Sequence, residues 1–165
     1  MALLLPERYF KGLSSISIQH DVVGKGFTCV FLDVDNTVRS RETNAVPASV
    51  QAWLEEGRAA GLRFCLLSNS WHENVFAFAR QQNMPVVAKA CKPLVHGYFQ
   101  ACSRMGCKRS QALMVGDQIL TDILGAHLAG MTAYLVQPLC DINIKSALWQ
   151  RQLEARILAN VQPEG

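Results

Sequence analysis

The sequence lacks most of the features that would place it in a membrane, outside a cell or on nucleic acid. No apolar run approaches the roughly 20 residues a membrane-spanning helix needs. The opening Met1-Ala-Leu-Leu-Leu-Pro6 is too short for a secretory apolar core and has no basic residues before it. Six cysteines are present, at 29, 65, 91, 102, 107 and 140, and none forms a CxxC pair. Cys91, His96, Cys102 and Cys107 could in principle gather a zinc ion, but their spacing matches no finger or ribbon. Cys29 and Cys65 sit inside apolar runs, where small buried thiols of a reducing compartment are expected. Charge is also scarce: 16 Lys and Arg against 13 Asp and Glu give a net +3. That excess is too small to indicate a nucleic-acid partner. No internal repeat, low-complexity segment or linker divides the chain. Gly24-Lys25-Gly26 lacks the rest of a Walker pattern and precedes a strand, so it reads as a turn. His20, His72, His96 and His127 have no ligand or triad spacing. A cytosolic location follows as the expectation.

What is present is an alternation of short apolar runs with segments of helical period. The chain has 165 residues, half of them apolar. At roughly 150 residues per domain that is one domain with a substantial core. Phe27 to Leu32 reads as a first strong strand, Arg63 to Leu67 as a second, and Pro85-Val-Val as a short third. Ala112 to Val115 and Thr132 to Val136 read as a fourth and fifth. Between the first two, Val50, Trp53, Leu54 and Gly57 fall on one helical face. Pro47 suits its start and Gly61 its stop. Val75, Phe76 and Ala79 mark a second helix. Leu94, Val95, Tyr98, Phe99, Cys102 and Met105 mark a third, opened by Pro93. Ile119, Ile123, Leu124 and Leu128 mark a fourth. A last helix is expected over about 144–160, carrying Leu148, Trp149, Leu153, Ile157 and Leu158. Strand–helix alternation with short connections implies parallel strands joined by crossovers. The predicted fold is therefore α/β, a doubly wound, Rossmann-like sheet of about five mainly parallel strands in a single domain over 1–165.

In such sheets ligands bind beyond the carboxyl ends of the strands. The first strand ends in Asp33-Val-Asp35-Asn36-Thr37 and the second in Ser68-Asn69-Ser70. The third is followed by Lys89 and Lys92-Pro93, and the fourth ends in Gly116-Asp117 with Asp122 close behind. Several carboxylates crowded together raise one another's pKa. A hard divalent cation removes that conflict, and oxygen-only ligands point to magnesium. A lysine and a hydroxyl beside it suit phosphate oxygens. The set as a whole suits phosphoryl transfer through a carboxylate nucleophile.

These segments resemble the four motifs of the haloacid dehalogenase (HAD) superfamily. Asp33-Val-Asp35-Asn-Thr37-Val38 is similar to the first, DxDx(T/V), and Ser68 to the second. Lys92 before Pro93 is similar to the third, and Gly116-Asp117-Gln-Ile-Leu-Thr-Asp122 to the fourth, GDxxxxD. The early Leu-Leu-Pro segment, the DVDNT core and GDQxxTD narrow the likeness to the YqeG-type branch of subclass IIIA phosphatases, over nearly the whole chain. Ser70-Trp71 stands where an Asn is common, and Val38 where Leu is common.

The resemblance implies an Mg2+-dependent phosphomonoester hydrolase. Asp33 would be the nucleophile and a metal ligand. Asp35 would be the general acid and base, with its backbone carbonyl on the metal. Ser68, the Asn69 N–H and Lys92 would bind phosphate, with Lys89 the rival of Lys92. Asp117 would be the main metal ligand, and Asp122 would act from behind it. Thr37 and Asn36 would shape the loop. Plainer readings stand beside these: a turn carboxylate for Asp33, a helix cap for Ser68, a first-turn carboxylate for Asp122.

Only about 30 residues separate Val38 from Ser68, so no cap domain fits. An open site suits substrates that bring their own bulk. Relatives of this branch include enzymes that dephosphorylate phosphatidylglycerophosphate, so the resemblance extends to a membrane lipid as substrate. It extends also to peripheral attachment at the inner face of a membrane. Leu3, Leu4, Leu5, Tyr9, Phe10, Leu13 and Ile16, mixed with Arg8 and Lys11, either lie in such an interface or pack on the domain. Two further readings stay open. One is a non-catalytic phosphate- and magnesium-binding or assembly factor, and the other a phosphatase for soluble sugar or nucleotide phosphates.

Overall fold

The apolar run Cys29-Val-Phe-Leu becomes the middle of a sheet because every one of its side chains is buried. A strand covered on both faces carries no polar position, the pattern of parallel sheets sandwiched by helices. The computed structural model describes residues 2–140 and 148–165. Its strands are β1 (Arg8–Phe10), β2 (Cys29–Leu32), β3 (Arg63–Leu67), β4 (Val86–Val87), β5 (Ala112–Gly116) and β6 (Thr132–Val136). Its helices are α1 (Ala48–Ala59), α2 (Glu73–Gln81), α3 (His96–Met105), α4 (Leu124–Leu128) and α5 (Leu148–Ile157). The strand order is β1-β6-β5-β2-β3-β4, and every pairing is parallel.

The sheet has six strands where the sequence predicts about five. The additional strand, β1, is three residues long and begins with a charged Arg8. It is too short for an alternation to show. Tertiary pairing makes it a strand: Arg8, Tyr9 and Phe10 align with Tyr134, Leu135 and Val136 of β6. Its free side is met by the chain's end, where Lys11 N donates to Glu164 O at 3.0 Å and Glu164 N to Tyr9 O at 2.8 Å. Arg8 bonds the carboxylates of both Asp21 and Glu164.

Two apolar layers flank the sheet. On one face Val30, Leu32 and Leu66 pack with Val50, Trp53 and Leu54 of α1 and Phe78 and Ala79 of α2. On the other, Phe31, Leu67 and Met114 pack with α3 and α4, and Ile157 of α5 lies against this layer. Each fully buried Leu, Val or Phe contributes roughly 1.5–3 kcal/mol. Phe10, Leu13 and Ile16 are buried in the first layer, and the Trp53 indole donates to Ile16 O at 2.8 Å. The N-terminal segment is thus docked on the domain through these residues.

Some residues assigned to helical faces are outside the core. Leu94 is 65% exposed because α3 begins at His96, leaving Leu94 in the turn ahead of it. Leu128 is 51% exposed because α4 has only five residues and stops there. In α2 the inward aromatic is Phe78, while Phe76 is partly exposed. Of the predicted last helix, 144–147 lies outside the described residues, as do the side chains of Leu148 and Trp149.

The chain runs outward from β2 to β3 and β4, then returns to β5 and β6 on the other side of β2. The reversal between β2 and β5 opens a crevice at their carboxyl ends. Between Val38 and Ser68 the chain spends its residues on a turn, α1 and β3, and between Ser70 and Lys92 on α2 and β4. Among the described residues there is no cap domain. No helix among them is long and apolar enough to cross a membrane.

Candidate active site

The crevice brings the strand ends together. Asp33 follows β2 directly, and its N–H bonds Val115 O at 3.0 Å, holding it beside the end of β5. There the chain folds into a tight loop: Val38 N and Arg39 N both donate to Val34 O, and Asn36 N to Arg39 O at 2.7 Å. Asn36 takes a left-handed conformation, φ 64°, which asparagine tolerates better than most residues. Its side-chain oxygen accepts from Arg41 N at 3.1 Å and from the Cys140 thiol at 2.9 Å. This loop presents Asp33 and Asp35 to one side.

Lys92 is the centre of the site. Its ammonium lies 2.5 Å from Asp33 Oδ1 and 2.7 Å from Asp122 Oδ1, and its side chain is 2% exposed. The turn that carries it is clamped by Asn69, whose amide donates to Lys92 O at 3.1 Å and accepts from Lys92 N at 2.7 Å. The Lys92–Pro93 peptide is cis. Lys89 is exposed, and its N–H bonds Ser70 O. Of the two lysines, Lys92 is therefore the one at the carboxylates. Ser68 is buried; its Oγ accepts from Ser70 N at 3.1 Å, which leaves the hydroxyl proton to be donated.

Asp117 and Asp122 arrive by a bend after β5. Gly116 has no side chain because the Asp122 carboxylate lies where a Cβ would be. Asp122 sits on a π-helical turn, Ile119–Ile123, and its second oxygen accepts from Gln118 N at 3.1 Å. The Tyr98 hydroxyl, 2.9 Å from Thr121 O and 3.1 Å from Asp122 O, pins that turn from α3. It reaches there only because Gly125 leaves its Cβ space to the Tyr98 ring. Asp117 Oδ1 accepts from the Thr37 hydroxyl at 3.1 Å, so Thr37 ties the first loop to the fourth.

The electrostatics follow from burial. Burial pushes the Asp33 carboxyl up to about 6, against the pull of the Lys92 ammonium. Asp117 is raised well above the usual carboxylate range, first by burial and then by Asp33 and Asp122. Burial alone would lower Lys92, but Asp122 and Asp33 overcome it and hold the ammonium above its ordinary value. Asp33, Asp117 and Asp122 each offer an oxygen within 4.8 Å of the others'. Since Asp122 already serves Lys92 and Gln118 N, Asp33 and Asp117 are the carboxylates left for a cation. Their raised pKa values are the conflict a hard cation relieves.

The cleft has a volume of ≈150 Å³, with Asp33, Asp35, Ser68 and Lys92 in its wall. Arg41, Gln118 and Thr121 also line it. Sequence reasoning passed over these three and Arg39. Arg39 is buried, with Nη2 2.7 Å from Asp35 Oδ1 and its guanidinium over the Phe78 ring at 4.9 Å. Two arginines four and six residues after Asp35, in a weakly charged chain, were the available signal.

The fold is HAD-like, and the comparisons with known proteins point the same way. Residues 90–138 match the HAD-hydrolase-like family. Along 98% of its length the chain is 29% identical to the "Probable phosphatase YqeG" of Bacillus subtilis (strain 168), covering 93% of that protein. A 45-residue stretch, 27% of this chain and 20% of the relative, is 49% identical to a glyceraldehyde 3-phosphate phosphatase of Methanothermobacter thermautotrophicus. Among solved structures, the cobalt-bound deoxy-D-mannose-octulosonate 8-phosphate phosphatase of Haemophilus influenzae aligns with TM-score 0.57 and 14% identity. The alignment covers 82% of this chain and 89% of that one. An uncharacterised Listeria monocytogenes protein aligns with TM-score 0.56 and 18% identity, over 79% and 99%. The chain is thus similar to HAD-type phosphatases, to the YqeG type along nearly its whole length.

Proposed function

We propose that the protein hydrolyses phosphomonoesters through an aspartyl-phosphate on Asp33, with Mg2+ held by Asp33, Asp117 and the Asp35 backbone carbonyl. The observation that carries this reading is the Lys92 ammonium set between Asp33 and Asp122, with the Asp117 carboxylate within reach of both. An Asp33 oxygen attacks phosphorus while the bond to the leaving alcohol breaks and Asp35 gives that oxygen a proton. Asp35, now a carboxylate, takes a proton from water as the water attacks phosphorus. Inorganic phosphate leaves and Asp33 is restored. Lys92, the Ser68 hydroxyl and the Asn69 N–H meet the phosphate oxygens, where charge builds in the transition state. Magnesium supplies positive charge for the same oxygens and offsets the repulsion between Asp33 and Asp117.

The lipid phosphatidylglycerophosphate is the substrate this branch suggests. The support within the molecule is a pair of exposed apolar groups next in sequence to cleft residues: Trp71, 66% exposed, follows Ser70, and Leu94 follows Lys92-Pro93. Phosphate release from that lipid in mixed micelles, with and without Mg2+, beside a soluble aryl phosphate, tests both parts. Asp33→Asn is expected to lower turnover by about 10⁴-fold or more. Asp35→Asn is expected to slow it by about 10²–10⁴-fold and to let phosphoenzyme accumulate on acid quench. Release from the aryl phosphate alone would discard the lipid. Magnesium-dependent turnover by Asp33→Asn would discard the mechanism.

A further inference from the structure

We propose that Arg41 selects substrates whose leaving alcohol carries an anionic group of its own, close to the ester oxygen. The inference rests on the phosphatase reading above, but not on the lipid.

The leaving oxygen must lie against Asp35, because Asp35 protonates it. The rest of the alcohol therefore continues past Asp35, away from Lys92. On that side the cleft presents Arg41. Asp35 does not need Arg41 as a partner. Its Oδ1 already receives a 2.7 Å bond from Arg39, which is buried and held over Phe78. Arg41 Nη2 stands 3.8 Å from Asp35 Oδ2, an ion pair beyond hydrogen-bond distance. Its side chain is 40% exposed. Its backbone is fixed, because Arg41 N donates to Asn36 Oδ1 at 3.1 Å. The base of the side chain is therefore anchored while its donor groups remain available at the mouth.

The charges give the same answer. Lys92 is matched by Asp33 and Asp122, and Arg39 by Asp35. Arg41 is the cation whose one ion pair, to Asp35, lies beyond hydrogen-bond distance. A neutral alcohol would gain nothing from it, whereas a carboxylate or phosphate would meet a planar fork of donors. Standing beside the acid, the guanidinium reaches an anion roughly two or three carbon atoms from the ester oxygen.

A three-carbon series that differs only at its far carbon tests the proposal. Glycerol 1-phosphate has a neutral hydroxyl there, 3-phosphoglycerate a carboxylate, and glycerol 1,3-bisphosphate a second phosphate. Wild-type protein is expected to favour one or both anionic members by about 10–100-fold in kcat/KM, the effect of a charged hydrogen bond. The stronger of the two identifies the anion. In Arg41→Gln that ratio is expected to fall to near 1. Any general effect of the substitution on Asp35 cancels, because it is shared by all three substrates. A wild-type ratio near 1, or a ratio unchanged in Arg41→Gln, overturns the proposal. Binding supplies a readout independent of turnover. By calorimetry at saturating Mg2+, 4-phosphonobutyrate should bind at least about 10-fold tighter than butylphosphonate, and Arg41→Gln should abolish the difference. Should no monoester be turned over, the hydrolase reading fails while this binding comparison still decides the role of Arg41.

Discussion

The two ends of the sheet invite comparison. At the carboxyl ends lies a cleft of only ≈150 Å³, lined by charged and hydroxyl groups. At the amino ends, where β5 and β6 begin, lies an open depression of ≈660 Å³ bordered by Phe99, Cys102, Cys107, Lys108 and Arg109. The larger space holds no convergent carboxylates. Arg109 is spent on the Ala129 carbonyl and the Phe99 ring. Burial raises the Cys102 thiol, and it pushes Cys107 up to about 12, so both stay protonated and unreactive at neutral pH. Strand direction, not volume, locates the candidate site. Parallel strands deliver their loops and the reversal of strand order to one end only, and charged groups can converge there because four loops meet.

Substitutions can break that contrast. Lys92→Met should have the largest effect on stability, with a loss of activity beside it. It removes the cation from Asp33 and leaves the Asp122 carboxylate buried without its ion pair. Turnover should fall by about 10²–10³-fold, and stability by about 3–5 kcal/mol. Denaturant unfolding reads the second, and adding Asp122→Asn should restore part of the stability without the activity. No recovery in the double variant would show that the loss lies elsewhere.

A pH effect should come next. Asp33 titrates higher in the fold than in the unfolded chain, about 6 against the ordinary carboxylate value. Its contribution is therefore complete below pH ~4 and lost as pH rises through about 6. Asp117 is shifted in the same direction. Metal-free wild type should lose roughly 5–10 °C of Tm relative to Asp33→Asn between pH 4 and 7. Magnesium should raise the wild-type Tm more at pH 7.5 than at pH 5. Parallel Tm curves for the two proteins would contradict the assignment.

The smallest effect should come from the opposite end. Phe99→Ala is expected to change kcat/KM by less than about 2-fold and stability by no more than about 1 kcal/mol. A large loss of activity would show that the depression communicates with the cleft.

Much of this was legible in the residues because burial on both faces leaves an unmistakable trace. β2 and β5 are unbroken apolar runs, β3 and β6 are so after their first residue, and β2, β3 and β5 lead into the polar groups of the cleft. β1 was not legible, since three residues with a leading Arg acquire strand geometry only from β6. The carboxylates and Lys92 were visible as isolated polar groups after apolar runs. Arg39 and Arg41 were not, because loop residues have no period. Their meeting with Asp35 depends on the turn that brings Arg39 back onto Val34 O. Asp122 read equally well as a helix-end carboxylate. Its burial beside Lys92 comes from the π-helical turn and from the glycine at 116.

The pairing of Glu164 with the free side of β1 also bears on how the protein behaves in concentrated solution. An outermost strand offers a row of unsatisfied amide groups on which another copy can template itself. Here Lys11 N–H and Tyr9 C=O are already answered by the Glu164 backbone, and the Arg8 side chain locks that residue in place. The sheet's other margin, β4, is just two residues long. Both margins are thereby blunted, so the sheet can keep a fully apolar interior without offering itself for polymerisation.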